Sequence, residues 1–269
     1  MSEASVRVKN VVVLMTGRFI KLVANTIKVT SYGFHFLFPR KRFSLPEHAA
    51  PWLKTRQPNG GIPHVIWQTN FTNKVTFPVY LNYLFNRLMA PTFEYRFMIT
   101  EARGEFIKAN YPDDIYQNYL KLQIGAAQAD VWRVLVLLKY GGVYMDIDAH
   151  AVWPLASILK RGGEELFVTT RKGELSNYFI ASMPGNSRLQ LVAERINENI
   201  AERRYPGVFQ LTGPGVFNEV LSLDEVDTVS YRHACNQGSF TNRHFQYIDK
   251  KEGKWHEQQH KTEVVRIDD

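Results

Sequence analysis

The hydrophobic pattern opens with a helical period and then turns to strands alternating with helices. From Val8 to Val29 the spacing predicts an amphipathic helix: Val12, Met15, Phe19, Val23 and Ile27 fall on one stripe, and Arg18, Lys21, Asn25 and Lys28 on another. Tyr32, Phe34, Phe36 and Phe38 then alternate as a strand would. Pro46, Pro51, Pro58 and Asn59-Gly60-Gly61 mark residues 46–61 as a linker or irregular loop. After it, strand patterns at Ile62–Gln68 and Glu94–Ile99 enclose a helix at Val79–Met89. Helices at Glu101–Asn110 and Pro112–Lys121 follow, then strands at Glu165–Thr170 and Asn177–Met183 and a helix at Ser187–Arg203. Such alternation predicts an α/β fold with a mixed, parallel-rich sheet flanked by helices. The expected division is an amphipathic segment 1–45, a linker 46–61, a core 62–221 and a C-terminal part 222–269 that completes the site.

The stretch from Gly125 to His150 breaks this pattern in an informative way. Between Val131 and Leu138 every residue is apolar except Arg133, so the helix should be buried on most sides. Asp130 and Arg133, three apart, share one of its faces. Charges in such a setting cost several kcal/mol, roughly, unless partnered, so the two should meet each other or line a cleft. Gly141-Gly142 ends the helix, a role glycine takes because it tolerates positive φ. A short strand, Val143–Met145, then delivers Asp146 and Asp148 at its C-terminal end, where open α/β sheets place ligands.

Charge changes the picture at one end only. Residues 1–45 hold eight Lys and Arg against the single acid Glu3, which equals the chain's whole net charge of +7 and leaves the remainder balanced. A basic groove for nucleic acid is therefore not expected. Aromatics beside Arg40-Lys41-Arg42 suit an anionic membrane surface, and the competing reading packs the segment on the domain. No uncharged run approaches the ~18 apolar residues of a span, so the expectation is a peripheral protein on the cytoplasmic face of the cell membrane. The one cysteine, Cys235, allows no internal disulfide.

Ala129-Asp130, Arg133, Tyr140-Gly141-Gly142-Val143-Tyr144 and Asp146-Ile147-Asp148, at this spacing, resemble the signature of glycosyltransferase family 32, the DXD sugar transferases. Ile62 to Gln68 resembles the family's first strand, and Thr212-Gly213-Pro214 a later turn. The resemblance covers most of the chain, from about Ile62 to Phe217. It implies a GT-A type nucleotide-sugar fold and retaining transfer from a UDP- or GDP-linked donor. The acceptor it implies is a cell-envelope glycan or glycolipid, as in capsule or lipopolysaccharide synthesis, with Mn²⁺ or Mg²⁺ as cofactor.

By the same resemblance Asp148 ligates the metal and Asp146 contacts metal and ribose. Asp130 and Arg133 hold the transferred sugar, Tyr144 supports the metal or donor, and Asn177 faces the sugar. Ile66, Trp67 and Gln68 take the base, while Thr212, Gly213 and Pro214 lie toward the acceptor. Alternatives stay open: core packing for Trp67, a turn role for Asn177, a plain ion pair for Asp130–Arg133. The family's C-terminal serine–tryptophan segment is missing. His256 is the choice for a third ligand, with His260 and His244 behind it, against a solvated tail. A catalytically silent nucleotide-sugar or glycan-binding module is the alternative function.

Overall fold

The computed structural model describes residues 3–54, 60–250 and 255–266. Its centre is a seven-stranded sheet. Across it the strands run Thr228–Ser230, Glu165–Thr169, Leu175–Ser182, Gly142–Met145, Val65–Thr69, Glu94–Met98 and His48–Ala49. Val65–Thr69 lies parallel to both of its neighbours, and Leu175–Ser182 runs antiparallel to both of its own. The sheet is mixed, with helices on either side, as the alternating pattern predicts.

The two faces of each strand feed two cores, because strand side chains alternate. Trp67 packs on one side with Trp132, Leu135 and Leu189; Ile66 packs on the other with Val79, Phe93 and Phe179. The helix Gly125–Tyr140 is buried without a break from Ala129 to Leu138, inside the first core. Trp132, Val134, Val136 and Leu137 expose nothing, and each of the three aliphatic side chains stabilises the fold by about 2 kcal/mol.

Gly141 caps that helix at φ 64°, its N–H donating to the Leu137 carbonyl. Gly142 follows at φ 106°, where a Cβ would stand 2.7 Å from the Val65 carbonyl oxygen. The positive φ anticipated for this pair is present, and the strand behind it needs the close approach that only glycine permits.

The N-terminal part departs from expectation. A single helix runs from Glu3 to Leu37, so the aromatics predicted as a strand continue the helix. Residues 32–38 obey a two-residue alternation, but the helical stripe upstream carries through them: Ser31 and His35 are buried while Phe36 and Leu37 face out. The stretch Asn10–Leu37 is long and apolar enough to cross a membrane by length and composition, contrary to the shorter run read from uncharged residues alone. The described residues of 46–61 are irregular, as expected, apart from one short strand. Leu45 is buried, and His48–Ala49 adds an edge strand against Tyr95 and Arg96; residues 55–59 lie outside the described part.

Candidate active site

The C-terminal ends of Val65–Thr69 and Gly142–Met145 open onto a cavity of about 660 Å³, within the range of small-molecule sites. Asp146, Asp148, Asp130, Arg133, Tyr144 and Asn177 all line it. The reason is local. The Gly142 strand ends at Met145, the Asp146 N–H bonds the Tyr178 carbonyl, and a turn closed by Ala149 N–H to the Asp146 carbonyl sets both carboxylates outside the sheet.

The two carboxylates converge on one point. Gln237 Nε2 lies 3.0 Å from Asp146 Oδ2 and 3.0 Å from Asp148 Oδ1, and Gln246 Nε2 donates to Asp148 Oδ2 at 2.7 Å. Tyr144 donates its hydroxyl to Asp146 Oδ1 at 2.6 Å, and the Arg133 guanidinium stands 3.4 Å from the same oxygen. Burial, and then the neighbouring Asp146, push the Asp148 carboxyl up to about 6, while Gln237 and Gln246 pull the other way.

Beside this pair sits a second, fully buried network. Arg133 meets Asp130 at 3.0 Å and donates to the Asn177 carbonyl at 2.7 Å, and its guanidinium lies 4.4 Å from the centre of the Tyr144 ring. Asn177 Nδ2 and Thr212 Oγ1 donate to the two oxygens of Asp130 at 2.9 and 3.1 Å. Burial raises the Asp130 carboxyl to about 6 even against Arg133. For Arg133 burial opposes the charge, but Tyr144 and the surrounding carboxylates outweigh it and hold the guanidinium above its usual range. Both sequence-level alternatives for this pair are thus realised at once: the charges meet, and they line a cleft.

The expected base-binding residues are corrected. Ile66, Trp67 and Gln68 do not line the cavity. Ile66 is buried in the core, and Trp67 is spent on Tyr140, Trp132 and a 2.9 Å hydrogen bond to the Gly141 carbonyl. Gln68 is buried too, holding the Asp146 carbonyl at 3.1 Å and accepting from Tyr95. The strand supports the site from below, and Thr69, Asn70 and Phe71, just past its end, reach the cavity.

Thr212 acts through Asp130, whereas Gly213 and Pro214 are on the wall. His256 has its backbone in the short helix Trp255–Gln258, and its side chain lies outside the described residues. His244 stacks on Tyr32, and His260 lines a separate surface depression with Arg203 and Tyr205; neither reaches the carboxylates.

Sequence reasoning missed Gln237, Gln246 and Arg103. The glutamines come from a C-terminal segment with no motif of its own. Arg103 sits on the helix Thr100–Asn110, 2% exposed, on the cavity wall. It has no carboxylate within ion-pair distance among the described residues, and its Nε has no partner. An arginine interrupting an apolar helical face was the available signal.

Asp130, Arg133, Asp146 and Asp148 all fall within residues 78–164, which match the family model described as glycosyltransferase sugar-binding region containing DXD motif. That stretch, about a third of the chain, is similar to the sugar-binding region of the DXD glycosyltransferases. This agrees with the resemblance to family 32 carried by the motifs. The chain is similar to initiation-specific alpha-1,6-mannosyltransferase of Schizosaccharomyces pombe, 22% identical over 223 residues. That match covers 70% of this chain and 52% of the yeast protein, so the chain spans about half the length of that relative. Inositol phosphoceramide mannosyltransferase 3 of the same yeast is 40% identical over 58 residues, 22% of this chain and 16% of that one. Among solved structures, PaToxG glycosyltransferase aligns over 81% of this chain and 80% of its own at 14% identity and a TM-score of 0.49. The UDP-bound glycosyltransferase domain from the YGT toxin aligns over 52% and 53% at 13% identity and a TM-score of 0.36.

Proposed function

We propose that this chain is a retaining, metal-dependent glycosyltransferase. It moves a sugar from a nucleotide-diphosphate donor to a glycan or glycolipid of the cell envelope, of the kind built in capsule or lipopolysaccharide assembly. Both curated relatives are named mannosyltransferases, which makes mannose the first sugar to test. The observation that carries the reading is the meeting of Asp146 and Asp148 with the buried Asp130–Arg133 pair in one cavity.

The carboxylates fit a hard divalent cation. One atom, Gln237 Nε2, already sits within hydrogen-bonding distance of both, so Asp146 and Asp148 are the residues that would hold such a cation. Bound by these two residues, Mn²⁺ or Mg²⁺ would supply positive charge to offset the charge of the leaving diphosphate. Tyr144 and Arg133 fix the rotamer of Asp146, while Gln246 and Gln237 fix that of Asp148. Asp130, locked by Asn177, Thr212 and Arg133, offers a rigid acceptor to sugar hydroxyls. Arg103, a buried cation with no ion-pair partner among the described residues, offers charge to the donor.

Retention is the outcome implied by the resemblance to family 32, and the acids of the wall are compatible with it. Those acids, among the described residues, are Asp130, Asp146, Asp148 and Asp249, and Asp249 is held by Arg42. Asp130 is bonded by Asn177 and Thr212, and Asp146 and Asp148 are taken up by the proposed metal site, which supports departure and attack on one face. A silent binding module fits less well, because a buried carboxylate at about 6 is costly to keep without a use.

A panel of UDP- and GDP-sugars, each incubated with and without Mn²⁺, tests the function. Nucleotide release from one donor, dependent on metal and lost in Asp148→Asn, is the expected result. Donor binding with no release from any sugar under any metal would establish the silent module instead.

A further inference from the structure

We infer that the outward face of the N-terminal helix is a membrane-docking surface: it lies in the plane of an anionic bilayer, at the boundary of headgroups and acyl chains, while its inner face stays on the enzyme. The inference is independent of the donor chemistry.

Two stripes run along this helix at spacings of three and four residues, on opposite sides. The inner one, Val13, Gly17, Ile20, Ala24, Ser31 and His35, is buried against the body. Gly17 faces Val152, with 3.6 Å between the position of an added Cβ and the valine Cβ. The outer stripe, which includes Met15, Phe19, Leu22, Val29, Phe36 and Leu37, has no cover; Leu22 is 65% and Phe36 85% exposed. Scattered surface hydrophobics are ordinary, but a continuous row of this length is not.

Charge identifies the occupant. The seven net positive charges of the chain all belong to residues 1–45. Arg18 and Lys21 are exposed on the flank between the two stripes, and Arg40 and Lys41 are exposed just past the helix end. A cationic border beside an apolar face complements anionic headgroups over acyl chains. A second protein copy would bring the same positive charges together.

The helix lies along the bilayer and does not cross it. Asn10 accepts a hydrogen bond from Arg161 at 3.1 Å, and the His35 ring accepts one from the Phe77 N–H at 3.2 Å. Those residues are separated by roughly 37 Å of helix at 1.5 Å per residue, more than the ~30 Å hydrocarbon core. A spanning helix would have to abandon this whole docked face.

The experiment uses the full chain with vesicles of phosphatidylcholine, with and without phosphatidylglycerol. Co-sedimentation is expected with the anionic vesicles, weakened by salt and reversed by alkaline carbonate. The triple variant Phe19→Asn, Leu22→Asn, Phe36→Asn should bind about tenfold less tightly or worse while keeping its melting temperature and its hydrolysis of soluble donor. Failure of the wild type to bind anionic vesicles at low salt overturns the inference. So does a variant that binds as well as wild type. Resistance to carbonate overturns the in-plane arrangement. A dimer in light scattering that the triple variant dissolves assigns the face to a second copy.

Discussion

Replacing Asp130 by Asn should make the protein more stable and less active at neutral pH. In the fold the carboxyl titrates near 6, against 3.8 for an ordinary aspartate, because burial outweighs the help of Arg133. A folded value raised above the unfolded one means that folding favours the protonated form. The contribution of this group is therefore fully present below about pH 4 and lost as pH rises through 6. A shift of about two units is worth about 3 kcal/mol. Asparagine avoids that penalty with the same shape. Its oxygen can accept from Asn177 and Arg133, and its amide can donate to Thr212, whose hydroxyl has a second acceptor in the Val208 carbonyl at 3.4 Å. Urea unfolding at pH 7.5 should thus show Asp130→Asn gaining up to about 3 kcal/mol, with the gap closing by pH 4. Turnover of the donor should fall about 100-fold, the scale of losing one preorganised polar contact. If the variant is instead less stable than wild type at pH 7.5, the ionised carboxylate is holding the fold together, and its assignment to the sugar fails.

Four shorter tests bear on the rest of the site and its frame. Asp148→Asn and Asp146→Asn should each lower metal-dependent turnover by about 100-fold or more, and Mn²⁺ should no longer raise the melting temperature of Asp148→Asn in the presence of nucleotide. Arg103→Met should keep or raise stability, since it removes a buried charge with no ion-pair partner among the described residues, yet weaken nucleotide binding in calorimetry by about tenfold; unchanged affinity would remove Arg103 from the donor's contacts. His150 is buried among Phe85 and Phe240 with neither ring nitrogen bonded, and burial depresses it to about 4. Folding thus favours its neutral form, stability falls as pH drops from 6.5 towards 4, and His150→Leu should unfold at lower pH than wild type. Gly142→Ala should cost several kcal/mol in denaturant unfolding, roughly, because its Cβ would strike the Val65 carbonyl at positive φ.

The parts legible in the sequence were those with local causes. The Gly125–Tyr140 helix announced its burial through an apolar run broken only by Arg133, and the glycine pair announced the turn that delivers Asp146 and Asp148. Trp67 misled because a family motif marks a strand as near the donor without saying which of its alternating side chains points there; the tryptophan faces the core. Tyr32 to Phe38 misled because two-residue alternation of aromatics outweighed the helical stripe that Ser31 and His35 continue. Gln237 and Gln246 gave no signal, since their approach to the carboxylates depends on a return of the chain from 89 and 98 residues away.

That return has an owner at its other end. Lys28 donates to the Gly238 carbonyl, Asn242 donates to the Tyr32 hydroxyl, Arg42 grips Asp249, and Thr76, beside the His35 ring, holds the Phe245 carbonyl. The segment from Gln237 to Asp249 is therefore strung between the N-terminal helix and the paired aspartates, like a strap with an anchor at each side. Cutting the chain at residue 45 to free a soluble body loosens the strap as well. The resulting loss of activity would belong to Gln237 and Gln246 losing their aim, in residues the deletion never touched.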